Sequence, residues 1–164
     1  MRLPFLAVRT RSADETTSLG RRIAEVVRPG EILLLVGDLG TGKTTFVQGL
    51  ALGLGFERRA RSPSFTIVHE YRGGRYPLIH ADLYRLNTLA EVVDLGLEEL
   101  FMPPAVSVVE WGERAFEIAG GDYLEIEFTW DSGEDVRNIK FIPSGHWQDR
   151  MGEISETVNE WAGA

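Results

Sequence analysis

A chain of 164 residues with a net charge of -8, 43% apolar and 26% charged residues and no cysteine fits one globular domain over 1–164. This composition excludes disulfides and thiolate zinc sites, and it disfavours strong unaided binding to the phosphate backbone of a nucleic acid. No apolar run approaches the length of a membrane span, and the opening MRLPFLAVRTRS lacks the apolar core and cleavage site of a secretory signal. A cytoplasmic protein with no membrane partner is expected.

In chain order, FLAVRT (5–10) predicts a short strand. SADE (12–15) has the capping-box pattern, Ser12 followed three residues later by Glu15, and predicts a helix with Leu19, Ile23 and Val26 on its inner face. PGE (29–31) turns the chain into ILLLVG (32–37), a strand buried on both faces. After a glycine-rich loop, Phe46, Leu50 and Leu54 recur at i, i+4 and i+8, a helix ended by Gly53 or Gly55. ERRARS (57–62) gathers Arg58, Arg59 and Arg61, either a solvated loop or a contact for phosphate or an acidic partner.

FTIVHEY (65–71) and YPLIHADLY (76–84) read as strands around Gly73-Gly74, and TLAEVVDLGLEELF (88–101) as helix with a break at Gly96. AVSVVE (105–110) is another buried strand. YLEIEFTW (123–130) alternates, with Leu124, Ile126, Phe128 and Trp130 on one face, and VRNIKFI (136–142) returns as the second arm of an antiparallel hairpin at one sheet edge. Trp147, Met151, Ile154, Val158 and Trp161 follow at helical intervals, the core face of a last helix capped by Ser144. The alternation of strand and helix predicts an α/β fold, a mostly parallel sheet flanked by helices with an antiparallel edge hairpin.

GDLGTGKTTF (37–46) carries the chemistry. Gly37 to Thr44 satisfies G-x-x-x-x-G-K-[ST] directly between a buried strand and a helix, the context that marks a P-loop, so the fold is P-loop NTPase-like. Its glycines let backbone N–H groups curl around phosphate oxygens, and the helix N-terminus adds its positive dipole. Lys43 supplies a point charge for the β- and γ-phosphates. The chain's only other lysine is Lys140 among many arginines, so lysine at 43 suits a task that a planar guanidinium fits poorly. Thr44 offers a hydroxyl to Mg²⁺, and Thr45 can reach another phosphate. The loop is taken as solvated, so that Lys43 is no part of a core.

Two carboxylates close apolar strands, Asp82 after PLIHA and Glu110 after VSVV. Parallel strands gather their C-terminal ends beside the P-loop, where both could face the metal. A solvated strand end or a helix cap is the other reading of each. Asp38 is a third carboxylate, for orienting an attacking water. Trp111 is either core or a ligand contact, and His80 satisfies a strand-end hydrogen bond rather than a metal.

GDLGTGKTTF, SPSFTIVHEY, HADLYRL and VEWGER, in this order and spacing, resemble the TsaE family (the YjeE type), bacterial ATPases of tRNA threonylcarbamoyladenosine synthesis. The similarity runs from about Thr16 to Arg114. It implies a fold that binds ATP and Mg²⁺, with phosphate contacts from Gly40, Thr41, Gly42, Lys43, Thr44 and Thr45, and Mg²⁺ held by Thr44 and Glu110. It implies catalytic roles for Lys43, Asp82 and Glu110, with Asp82 near the γ-phosphate, Thr16 near the nucleotide and a switch-like loop from Ser62 to Thr66. Ser64 replaces the family's usual threonine. The implied partners are TsaB and TsaD, whose complex modifies adenosine 37 of ANN-decoding tRNAs. ATP turnover to ADP, slow alone and stimulated by those partners, would reset that transferase, with tRNA contact only indirect. The alternative from the residues is a small P-loop phosphotransferase with its own acceptor.

Overall fold

The run at 32–36 lies in the middle of a seven-stranded sheet, as its lack of a polar face requires. The computed structural model describes residues 5–57, 67–133 and 135–163. Its elements are β1 (Leu6–Thr10), α1 (Ala13–Ala24), β2 (Ile32–Val36), α2 (Lys43–Gly53), β3 (Val68–Tyr71), β4 (Leu78–Asp82), α3 (Leu89–Asp94), α4 (Leu97–Leu100), β5 (Val106–Glu110), β6 (Leu124–Trp130), β7 (Arg137–Pro143) and α5 (Met151–Thr157). Turns of 3₁₀ helix follow β5 at Gly112–Ala115 and flank α5 at Gly145–Arg150 and Asn159–Trp161.

The strands are ordered β1-β7-β6-β2-β5-β4-β3. The four central strands β6, β2, β5 and β4 run parallel. Antiparallel pairings carry the sheet outward, β6 to β7 to β1 on one side and β4 to β3 on the other. The β6–β7 hairpin is therefore not the edge; β1 pairs with β7 and takes that place. Local periodicity identifies a hairpin but not its neighbours.

Alternation along β2 divides the core. Leu33 and Leu35 join Phe46, Leu50, Leu19 and Ile23 under α1 and α2, where Trp147 and Ile154 also pack. Ile32 and Leu34 join Val92, Leu97 and Phe101 on the opposite face. Helices thus cover both faces, the arrangement that parallel strands demand. Among the described residues, no helix is long and apolar enough to cross a membrane.

The helix ends follow the residues that make them. Ser12 accepts from the Glu15 N–H at 3.0 Å, while the Glu15 carboxylate reaches back to the N–H of Arg11 rather than Ser12. Helix α2 closes with Gly55 left-handed at φ 94° and with Phe56 N donating to Ala51 O at 3.0 Å, a Schellman ending. Gly96, at φ 71°, makes the break between α3 and α4. Helices α1 and α2 meet through glycine: a Cβ on Gly49 would lie 2.0 Å from the carbonyl oxygen of Thr17, and one on Gly20 2.2 Å from that of Phe46.

Three expectations change. Val27 rather than Val26 completes the buried face of α1, because the chain leaves the helix at Ala24. Trp130 is 47% exposed, since it ends its strand beyond the helices that cover Leu124, Ile126 and Phe128. Ser144 makes no side-chain cap, and the last segment is one short α-helix between 3₁₀ turns, although Trp147, Ile154, Val158 and Trp161 do form its core face.

Candidate functional site

Parallel pairing brings the C-terminal ends of β2, β5 and β4 into one row: Leu35 is level with Glu110, and Glu110 with Asp82. The chain leaves β2 through the glycine loop and enters α2 at Lys43, so the loop and both carboxylates border one cavity of about 500 Å³. Gly40, Gly42, Lys43, Thr44, Thr45, Asp82, Glu110, Trp111 and Arg137 line it, with Leu39, Ile67, Tyr84 and Arg85. Gly40 and Gly42 hold φ of 78° and 107°, which a side chain would strain, and a Cβ on Gly40 would meet nothing within 4 Å.

Thr44 Oγ1 donates to Glu110 Oε1 at 2.6 Å. The other oxygen of Glu110 lies 2.7 Å from His80 Nε2, and both residues are buried, at 3% and 0% exposure. His80 stands two residues before Asp82 on β4 and so shares its face, a signal that period-2 reading offers for making His80 a supporting partner of Glu110. Asp82 is half-buried, borders the cavity, and accepts from the Tyr84 N–H at 3.0 Å.

Lys43 is not solvated: it is 4% exposed. Its ammonium donates to the carbonyls of Gly37 and, at 3.1 Å, Asp38, and lies 4.3 Å from the centroid of Trp111. Burial pulls its pKa below the ordinary lysine value of 10.5, against the opposing pull of Glu110, Glu113, Asp82 and Asp38. Trp111 belongs to the cavity wall. It holds a left-handed φ of 58°, which brings its ring to 5.0 Å from that of Tyr84, and Gly112 behind it packs where a Cβ would lie 2.7 Å from Leu34 Cβ.

Of the other candidates, Thr41 and Thr16 stand at the loop, and the Asp38 side chain turns away from the cavity. Thr41 is buried, with its hydroxyl donating to Asp38 O at 2.7 Å, so its side chain fastens the loop. Thr16 is buried behind Gly42, and its hydroxyl lies 2.8 Å from that of Thr10; its methyl is 3.6 Å from where a Gly42 Cβ would be. The Asp38 side chain is exposed and outside the cavity lining, and only its backbone carbonyl serves the loop. Arg58, Arg59, Arg61, Ser62, Ser64 and Thr66 lie outside the described residues.

Arg137 escaped sequence reading, because nothing local links the start of β7 to the loop. Its Nε donates to Thr41 O at 3.0 Å, while its guanidinium stacks 3.5 Å from the centroid of Trp130.

The donor set suits a nucleotide with Mg²⁺. Among the described residues, no three His, Cys, Asp or Glu gather as metal ligands. One hydroxyl with one or two carboxylates beside a phosphate cradle is what Mg²⁺ accepts, since it keeps several waters and phosphate oxygens.

The profile of the family described as "Threonylcarbamoyl adenosine biosynthesis protein TsaE" matches residues 10–139. The tRNA threonylcarbamoyladenosine biosynthesis protein TsaE of Bacillus subtilis is 41% identical over 145 residues, 88% of this chain and 90% of that protein. The protein of the same name from a Nostoc species is 45% identical over 134 residues, 79% and 81% of the two chains. The crystal structure of Bacillus subtilis YdiB superposes with a TM-score of 0.80 at 36% identity, covering 95% of this chain and 97% of that one.

Proposed function

The chain belongs to the TsaE family, and from that membership and the strand-end geometry we propose that it binds ATP and Mg²⁺ and hydrolyses ATP as a nucleotide-dependent switch on the TsaB–TsaD transferase of tRNA threonylcarbamoyladenosine synthesis. The observation that carries the reading is the hydroxyl of Thr44, next to Lys43, held at 2.6 Å on the buried carboxylate of Glu110.

Backbone N–H groups from Gly40 to Thr45 bind the phosphates, and Lys43 adds its charge to them. Thr44 and Glu110 hold Mg²⁺, which when bound neutralises charge on the β- and γ-phosphates. Glu110 is fixed for this by His80 on its second oxygen. Asp82, one strand away, orients the attacking water. ATP and ADP can reset a partner only by favouring different partner-binding states.

Phosphate release is measured for the protein alone, with TsaB–TsaD and with small acceptors, and partner affinity is measured with ADP and a non-hydrolysable ATP analogue. Slow release stimulated by TsaB–TsaD and unequal affinities are expected, with Lys43→Ala lowering ATP affinity at least ~100-fold. Equal affinities without stimulation sink the switch, and phosphate transfer to a small acceptor establishes a phosphotransferase instead.

A further inference from the structure

Among the described residues, Arg137 alone of β6 and β7 lines the nucleotide cavity. It lies directly across from Trp130 in the β6–β7 pairing, so the two side chains share a face of the sheet. The guanidinium carbon stands 3.5 Å from the centroid of the indole, and Nε donates to the carbonyl of Thr41 at 3.0 Å. A hydrogen bond in its plane and a ring over one face together fix the guanidinium at the cavity wall. Trp130 is 47% exposed and is not itself part of the cavity lining, so its ring backs the guanidinium.

The distance of Arg137 from the carboxylates decides what it can meet. Asp82 ends β4 and Arg137 begins β7, at opposite ends of the series β4-β5-β2-β6-β7, and those two strands are about 19 Å apart at the usual spacing. The aromatic rings of the cavity lining stay with the carboxylates, Tyr84 two residues after Asp82 and Trp111 directly after Glu110. On the function proposed above, on which this inference rests, the γ-phosphate occupies that end. A triphosphate then runs along the loop away from Glu110 and Asp82 and delivers its nucleoside on the side of β6 and β7.

We propose that the guanidinium of Arg137, backed by Trp130, is the platform on which the base of the nucleotide stacks, giving a ladder of indole, guanidinium and base. A delocalised planar cation offers two faces to π-systems, and Trp130 takes one of them. Stacking on the second face uses none of the N–H groups. It reads ring area rather than base edges, so purines are favoured over pyrimidines.

The test measures the affinity of the full chain for ATP, UTP and inorganic tripolyphosphate, each with Mg²⁺. The unaltered chain is expected to bind ATP at least fivefold more tightly than UTP. Arg137→Ala should weaken ATP about tenfold, bring ATP and UTP to within twofold of each other and leave tripolyphosphate within twofold of its parent value. Arg137→Lys keeps the charge without the plane and should behave as Arg137→Ala does. Trp130→Ala leaves the arginine at Thr41 in place and should move the affinities in the same direction, so it decides the matter should Arg137→Ala disturb the loop. Equal affinity of the unaltered chain for ATP and UTP, unchanged ATP affinity in Arg137→Ala, full ATP affinity in Arg137→Lys, or equal losses of ATP and tripolyphosphate in Trp130→Ala would each overturn the platform and leave the ATPase reading intact. Absence of ATP binding to the unaltered chain overturns both.

Discussion

Thr44 and Glu110 stand 66 positions apart in the chain, yet the hydroxyl of one and the carboxylate of the other meet at 2.6 Å. The first residues of α2 and the last residue of β5 are joined there, and His80 closes the carboxylate from the other side at 2.7 Å. The same carboxylate therefore has a structural task and, on the proposed function, a chemical one, and substitutions can separate them.

Glu110→Gln keeps one acceptor and one donor, so Thr44 and His80 retain partners, but the charge is lost. Folding stability should stay within about 1 kcal/mol of the parent while Mg²⁺-dependent hydrolysis falls about 100-fold or more. Glu110→Ala leaves the buried His80 unpaired and should lose hydrolysis and, in addition, about 1–3 kcal/mol of stability. Urea unfolding and single-turnover hydrolysis of both variants check this; equal stability of the two would refute the structural half.

Trp111 should report on the site. Its ring lies 4.3 Å from the Lys43 ammonium, and a phosphate that draws that charge away changes the ring's surroundings. Intrinsic fluorescence should change when ATP and Mg²⁺ are added, and Trp111→Phe should remove most of that change. A change of the same size in Trp111→Phe would assign it to Trp130, which stacks on Arg137 beside the loop.

Two glycine-to-alanine changes in helices should have opposite signs. In Gly49→Ala the new Cβ would lie 2.0 Å from a backbone oxygen of α1, which cannot rotate away, and stability should fall by about 3 kcal/mol or more. In Gly152→Ala, on α5, the Cβ meets nothing within 4 Å and stability should rise by up to about 1 kcal/mol. Thermal melts of the two, side by side, decide it.

Glu125 on β6 carries a pKa pushed above the ordinary glutamate value of 4.5, by burial first and then by Glu127 and Glu113. A carboxyl whose pKa is raised on folding costs stability once it ionises, and that cost is absent below 4.5, where it is protonated in both states. Glu125→Gln should therefore stabilise the fold at neutral pH by no more than about 1 kcal/mol, because solvent screens the group. The gain should disappear as the pH falls through the folded pKa to below 4.5. Urea midpoints at neutral and acidic pH test this; an equal gain at both would show that packing, not charge, is responsible.

The sequence by itself determined whatever depends on neighbours in the chain. Ser12 and Gly55 end their helices through bonds that close within a few residues, and Gly37 to Thr44 writes the P-loop pattern because its glycines and the following helix are contiguous. Asp82 and Glu110 were legible as strand ends, and the parallel sheet needed only to align them. Tertiary structure alone decided the rest. Whether Glu110 would meet Thr44 or His80, and whether the β6–β7 hairpin would be an edge, depended on strand order, which periodicity does not encode. The burial of Lys43 against Trp111 and the reach of Arg137 to Thr41 cross more than sixty positions of chain. Such contacts form only once the core has fixed β2 between β5 and β6, because packing, not local preference, sets which distant side chains share a wall.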